Sequence, residues 1–258
     1  MEWGFKNRIN QVLPGMSKGT GSVMFAIDHG YFMGPTSGLE DPKETIVPLL
    51  SYVDSLMLSR GILSNCIPQD VDIPIVLRVS GGNSILNEDI SNEKLCVSIE
   101  EAVRLNASAV AFSIYVGADH EHQTLVEFSK LVNEAHSLGI PVLAVTAVGK
   151  DMERDLRYLS LSSRMAAELG ADIVKTYFCD QFDKLVSSCP VPVIIAGGKK
   201  TTELEALELA QKAMSNGALG VDMGRNIFQS KKPVQMIQAI RAVVTDGIDA
   251  KKAYKEFF

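Results

Sequence analysis

Eight apolar runs of strand length recur along this 258-residue chain, at intervals of about 20 to 35 residues, and most are followed by a helical pattern. They cover 22–27, 53–59, 74–79, 108–115, 141–146, 172–177, 191–196 and 218–223. The runs are mostly continuous rather than alternating and are rich in Val, Ile and Ala, as in parallel strands covered on both faces. Several start at or just after a proline (Pro74, Pro141, Pro192), where a missing N–H does little harm to a ladder. Ser98-Ile99-Glu100-Glu101 has capping-box spacing and opens a helix toward Leu105. Residues 151–169 and 202–216 are amphipathic; the second begins in a capping arrangement at Thr202 and Glu205 and ends at Gly217. A last helix is predicted from Asp249 to the C-terminus. Together these signals predict an α/β chain folded as one (β/α)8 TIM barrel over 1–258, with a helical N-terminal extension in 1–20 and a C-terminal helix in 246–258. A doubly wound open sheet is the alternative, because alternation alone does not prove closure.

Composition narrows the function. With 46% hydrophobic residues the chain can bury one sizeable core. A net charge of −6 argues against nucleic acid as the main partner. No stretch approaches the roughly 20 apolar residues a membrane helix requires. The first residues lack a hydrophobic run or cleavage signature, so the expectation is a cytoplasmic protein with no membrane partner. Cys66, Cys96, Cys179 and Cys189 show neither CxxC nor metal-type spacing, and reduced thiols are expected. Cys179, close to Lys175, reads either as an acyl-accepting nucleophile or as a small buried hydrophobe.

Lys175 is the only cation in the run 171–178. Burying an ammonium is costly, and desolvation favours the neutral amine, which can attack a carbonyl to form an imine. A structural lysine paired with a carboxylate, or one that snorkels outward, is the other reading. In a barrel of this kind the working groups sit at strand ends. Polar and glycine clusters fall there repeatedly: Asp28-His29-Gly30-Tyr31, Ser59-Arg60-Gly61, Arg78 to Asn83, Lys175 to Tyr177, Gly197-Gly198-Lys199-Lys200 and Asp222 to Asn226. Gly197, Gly198 and Gly224 allow close backbone approach to a phosphate, and Arg225 adds paired donors. Gly197-Gly198 as a mere tight turn is the alternative. Asp28 is read as a proton carrier beside the reacting carbons, or else as a cap or a partner for a buried cation. His29 is read as a substrate contact or as a residue that orients its loop, and Tyr177 as a substrate contact. His120 and His122 lack an evident third ligand, so a solvated loop or helix start is expected there and no metal.

The segments 26–32, 148–152 (Val148-Gly149-Lys150-Asp151-Met152), 171–177, 195–200 and 221–229 resemble the superfamily of archaeal-type class I fructose-bisphosphate aldolases. Within it they are most similar to the bacterial thiolase branch that processes phosphorylated autoinducer-2. The resemblance covers essentially the whole chain, in order. It implies a barrel in which Lys175 bonds covalently to the substrate ketone, Gly197, Gly198, Gly224 and Arg225 hold the phosphate, and Asp28 lies beside the reacting carbons. It implies no bound cofactor, coenzyme A as co-substrate, dihydroxyacetone phosphate and acetyl-CoA as products, and a ring-like homo-oligomer, a decamer being one such form. The aldolase branch carries a tyrosine acid near the end of strand five, where this chain has Thr146. A threonine hydroxyl is a far poorer proton donor than a phenol, which counts against fructose 1,6-bisphosphate cleavage and leaves Thr146 as a substrate contact. A non-catalytic sugar-phosphate sensor would keep the glycines and Arg225 without needing Lys175. A metal-dependent enolising enzyme would need a ring of His and carboxylate ligands.

Overall fold

The computed structural model describes residues 3–147 and 153–258; the resemblance-bearing segment Val148 to Met152 lies outside them. The strands are β1 (Ser22–Ala26), β2 (Ser55–Ser59), β3 (Ile75–Arg78), β4 (Ala109–Ile114), β5 (Val142–Thr146), β6 (Ile173–Thr176), β7 (Val193–Ala196) and β8 (Gly220–Met223). All pair in parallel, and β1 closes on β8 through Ser22↔Gly220 to Phe25↔Met223, which makes a closed barrel. The open-sheet alternative is thereby excluded.

Two cores hold the barrel. Between strands and helices lies a large apolar shell that includes Phe25, Phe112, Phe128, Val174 and Ile240. Inside the cylinder Met24, Met57, Val76, Ala109, Ala111, Leu143, Ile173 and Ile194 interdigitate with Val12 and Leu13 from the N-terminal segment. That segment forms the helices Trp3–Val12 and Gly15–Lys18. The Ser55 hydroxyl donates to the Val12 carbonyl at 3.0 Å, and the Gly15 N–H donates to Ser22 Oγ at 2.9 Å. Within the extension expected at 1–20, the described residues 3–20 are therefore a stopper in the N-terminal mouth rather than an appendage.

Helix starts follow their caps. Thr202 and Glu205 form a complete capping box ahead of Glu203–Ser215. Ser98 accepts from the Glu101 N–H ahead of Ile99–Arg104, and Asp249 caps Ala250–Phe257. The helix expected over 151–169 instead covers Leu156–Glu168. Asp155 is its cap, accepting from the Tyr158 N–H, and residues 153–155 are extended or irregular. Absent from the expectations is a two-stranded antiparallel sheet, Ser80–Gly81 with Lys94–Leu95, which folds the segment after β3 back over the barrel mouth.

Candidate active site

Alternation along each strand decides which side chains enter the cylinder. In β6 Ile173 belongs to the inner core and Val174 to the outer, so Lys175 points inward. The same count sets Arg78 above Val76, Ser113 above Ala111, Val145 above Leu143 and Asp222 above Gly220. These residues line a cavity of about 350 Å³ at the C-terminal end of the strands, where the loops complete its walls. Asp28, His29, Thr146, Lys175, Tyr177, Gly197, Gly198, Gly224 and Arg225 all line this one cavity.

Lys175 is only 7% exposed, and its amine stands 2.6 Å from Asp222 Oδ2 and 3.7 Å from Met57 Sδ. It does not snorkel. It is both carboxylate-paired and directed into the cavity, so the two readings of this residue describe one geometry. Asp222 is 1% exposed, and its Oδ1 has no hydrogen-bond partner among the described residues. Burial pushes the Asp222 carboxyl above the ordinary range against the pull of Lys175.

Asp28 is held differently. Arg78 donates to its Oδ2 from Nε at 2.9 Å and lies 2.8 Å away through Nη2. Burial alone would raise the Asp28 carboxyl, but Arg78, with Lys175 and His29, holds it below its usual value. Of the readings for Asp28, partnership with a buried cation is realised in the geometry. His29 Nδ1 lies 3.9 Å from Asp28 Oδ1 and has no hydrogen-bond partner among the described residues. Burial, together with Lys175, Arg225 and Arg78, lowers His29 to about 4 against the attraction of Asp28. The imidazole is therefore neutral near pH 7.

Arg78 continues into a second buried network. Its Nη1 donates to Ser113 Oγ at 2.5 Å and Ser80 Oγ at 3.2 Å, and Ser80 donates to Glu93 Oε2 at 2.6 Å. Glu93 Oε1 accepts from the phenols of Tyr31 at 2.5 Å and Tyr115 at 3.2 Å. Burial, with Glu93 nearby, raises both phenols. Thr146 lies apart from this network, its hydroxyl within hydrogen-bond distance of Thr176 Oγ1 at 2.8 Å and of the Lys175 carbonyl oxygen at 3.3 Å.

On the opposite wall the turns after β7 and β8 meet. Asn226, fully buried, donates to the Gly197 carbonyl at 2.7 Å and accepts from the Thr201 N–H at 2.9 Å, which ties one turn to the other. Gly198 has φ +71°, and a side chain at Gly224 would lie 2.3 Å from the Ala26 carbonyl oxygen. The backbone itself thus calls for glycine at both positions. Half-buried Arg225 has an unpartnered Nε among the described residues, and burial lowers its guanidinium, with Arg154 adding to the effect. Arg154 stacks over the Tyr177 ring at 3.6 Å and brings a second cation to this wall.

Sequence reasoning places Tyr31, Arg78 and Asp222 in strand-end clusters without assigning them a role, and it misses Glu93, Tyr115 and Arg154. Arg78 and Asp222 carried the same signal as Lys175, a charge inside an apolar run. Glu93 and Arg154 sit in polar segments with no such contrast. Cys179 is buried and does not line the cavity, and burial raises its thiol above the ordinary range, consistent with a packing role. His120 immediately precedes the helix Glu121–Ser137 and pairs with Asp89 at 3.4 Å. Among the described residues no three His, Cys, Asp or Glu side chains gather as ligands.

Residues 22–230 match the model of the DeoC/LacD family aldolases. The chain is 50% identical over 258 residues to a 3-hydroxy-5-phosphonooxypentane-2,4-dione thiolase of Salmonella paratyphi A, covering 100% of this chain and 88% of the relative. It is 51% identical over 257 residues to an uncharacterized aldolase of Pasteurella multocida, covering 99% and 87%. Among solved structures, an archaeal fructose-1,6-bisphosphate aldolase whose catalytic lysine is covalently bound to the carbinolamine intermediate of its substrate superposes with a TM-score of 0.82. That structure is 27% identical, over 93% of this chain and 99% of the other.

Proposed function

The chain belongs to the DeoC/LacD aldolase family, and from that premise we propose that it transfers the acetyl group of 3-hydroxy-5-phosphonooxypentane-2,4-dione, the dione derived from phosphorylated autoinducer-2, to coenzyme A. The products are dihydroxyacetone phosphate and acetyl-CoA. One observation carries the reading: a buried amine, Lys175, and an anion-accepting wall of Gly197, Gly198, Gly224 and Arg225 face the same cavity.

The phosphate on C5 rests against the two joined turns and Arg225, with Arg154 adding positive charge. The C4 carbonyl then lies over Lys175, which forms an imine with loss of water. The coenzyme A thiol attacks the C2 carbonyl and the C2–C3 bond breaks. Its electron pair flows toward the protonated imine, C3 takes a proton, and hydrolysis of the imine releases dihydroxyacetone phosphate. Asp28, kept ionised by Arg78, stabilises positive charge beside the reacting carbons. His29, Thr146 and Tyr177 contribute wall contacts. No bound cofactor is needed, because coenzyme A is consumed as a co-substrate.

Cleavage of fructose 1,6-bisphosphate is the second reading, favoured by the archaeal aldolase fold and opposed by Thr146 at the position expected of a tyrosine acid. Mass spectrometry of products formed from the phosphorylated dione, with and without coenzyme A, separates them. Acetyl-CoA and dihydroxyacetone phosphate should appear only with the thiol present, while triose phosphates from fructose 1,6-bisphosphate alone would favour the aldolase. Borohydride added during turnover should leave a reduced adduct on Lys175, and Lys175→Met should abolish both adduct and turnover. An unmodified lysine in a working enzyme would exclude the imine route. The same reading includes a cytoplasmic homo-oligomer without nucleic-acid or membrane partners; among the described residues no helix is long and apolar enough to cross a membrane.

A further inference from the structure

Two of the buried carboxylates that line the cavity, Asp28 and Asp222, stand in opposite circumstances. Asp28 has its Oδ2 committed to two guanidinium nitrogens of Arg78 and makes no ion pair with Lys175. Asp222 touches Lys175 at 2.6 Å through Oδ2, while its Oδ1 is buried without a partner among the described residues. We propose that Asp222 is a catalytic residue that takes a proton from the Lys175 ammonium and delivers it to the substrate carbonyl oxygen during imine formation. This rests on the imine reading above.

An ionised carboxylate with one buried oxygen unpaired forgoes hydrogen bonds that a neutral acid does not need, so this site tolerates protonation well. The groups facing Asp222 are Lys175 from β6, Arg78 from β3 and Asp28 beyond β1. Arg78 is turned toward Asp28, so Lys175 is the cation in contact with Asp222. Environment thus separates the two acids: burial raises Asp222, whereas Arg78 overcomes burial at Asp28. Carboxyl groups pushed apart in this way take different roles, one exchanging protons and the other staying charged.

The proton balance closes without an outside reagent. Nζ begins with three protons and gives one to Asp222 Oδ2. The freed lone pair forms the N–C4 bond as the C4–O π pair moves onto oxygen. That oxygen takes the proton from Asp222, then a second from nitrogen, and leaves as water. Nitrogen keeps one hydrogen as the protonated imine, and Asp222 is again a carboxylate.

The test follows borohydride trapping on Lys175 by intact-protein mass spectrometry across pH, using the phosphorylated dione without coenzyme A. Asp222→Asn, which keeps the shape, should slow trapping roughly 100-fold or more near neutrality. The deficit should shrink as pH rises and the amine loses its proton unaided. Asp222→Ala should be equally slow and should recover in proportion to added formate, which a purely structural carboxylate would not permit. Trapping at the wild-type rate in Asp222→Asn, or a pH-independent loss together with no response of Asp222→Ala to formate, overturns the proposal. Should Asp222→Asn fail to fold, the formate dependence of Asp222→Ala decides alone. If the wild-type protein itself is not trapped, it is the imine reading that fails.

Discussion

Arg225 and His29 are both basic side chains of the cavity wall, yet they do different work. Arg225 is half-buried with an unpartnered Nε, so an anion at the joined turns gains donors already freed from water. Arg225→Ala should weaken binding of dihydroxyacetone phosphate by roughly 1.5–3 kcal/mol in titration calorimetry; an unchanged affinity would move the phosphate elsewhere. His29 is largely buried and neutral, with its value lowered from 6.5 to about 4. Above about pH 6.5 both folded and unfolded forms are neutral and its titration costs nothing. As pH falls toward 4 the unfolded chain takes up a proton that the folded one refuses. Stability is lost across that window, by roughly 3 kcal/mol at about 1.4 kcal/mol per pH unit, and the loss then levels off. His29→Gln should flatten the pH dependence of the urea midpoint between pH 6.5 and 4.

At the scale of elements, the turns after β7 and β8 behave as one unit because Asn226 is shared between them. Asn226→Ala leaves the buried Gly197 carbonyl unpaired, at roughly 1–3 kcal/mol, and removes the acceptor of the Thr201 N–H at the exposed end of the turn. Its expected signature is a lower melting temperature together with weaker phosphate affinity, although Asn226 does not line the cavity. Elements also show what could be read in advance. All eight strands fall within two residues of their apolar runs, because strands buried on both faces leave an unbroken signal. The small sheet of Ser80–Gly81 and Lys94–Leu95 left none, having two residues per strand and a long polar connection. The nine residues taken from strand ends line a single cavity, yet their partners were hidden. Asp28 and Arg78 lie 50 positions apart, and Lys175 and Asp222 lie 47 apart. Such pairs are fixed by barrel closure, which no local spacing encodes.

For the molecule as a whole, the inner core depends on Val12 and Leu13 entering from outside the barrel sequence. Leu13→Ala should cost roughly 2–5 kcal/mol, read from urea unfolding, because the cylinder wall cannot collapse into the space left behind. The stopper also governs traffic. With one end sealed by packed side chains, the described residues leave the opposite mouth as the doorway for the reactants and products of the proposed reaction. In the proposed reaction the phosphorylated ketone, whose reacting carbonyl has to reach the floor, is then expected to be seated before the coenzyme A thiol arrives, and acetyl-CoA to depart before the triose. A strict queue of this kind belongs to the architecture rather than to any residue in the wall.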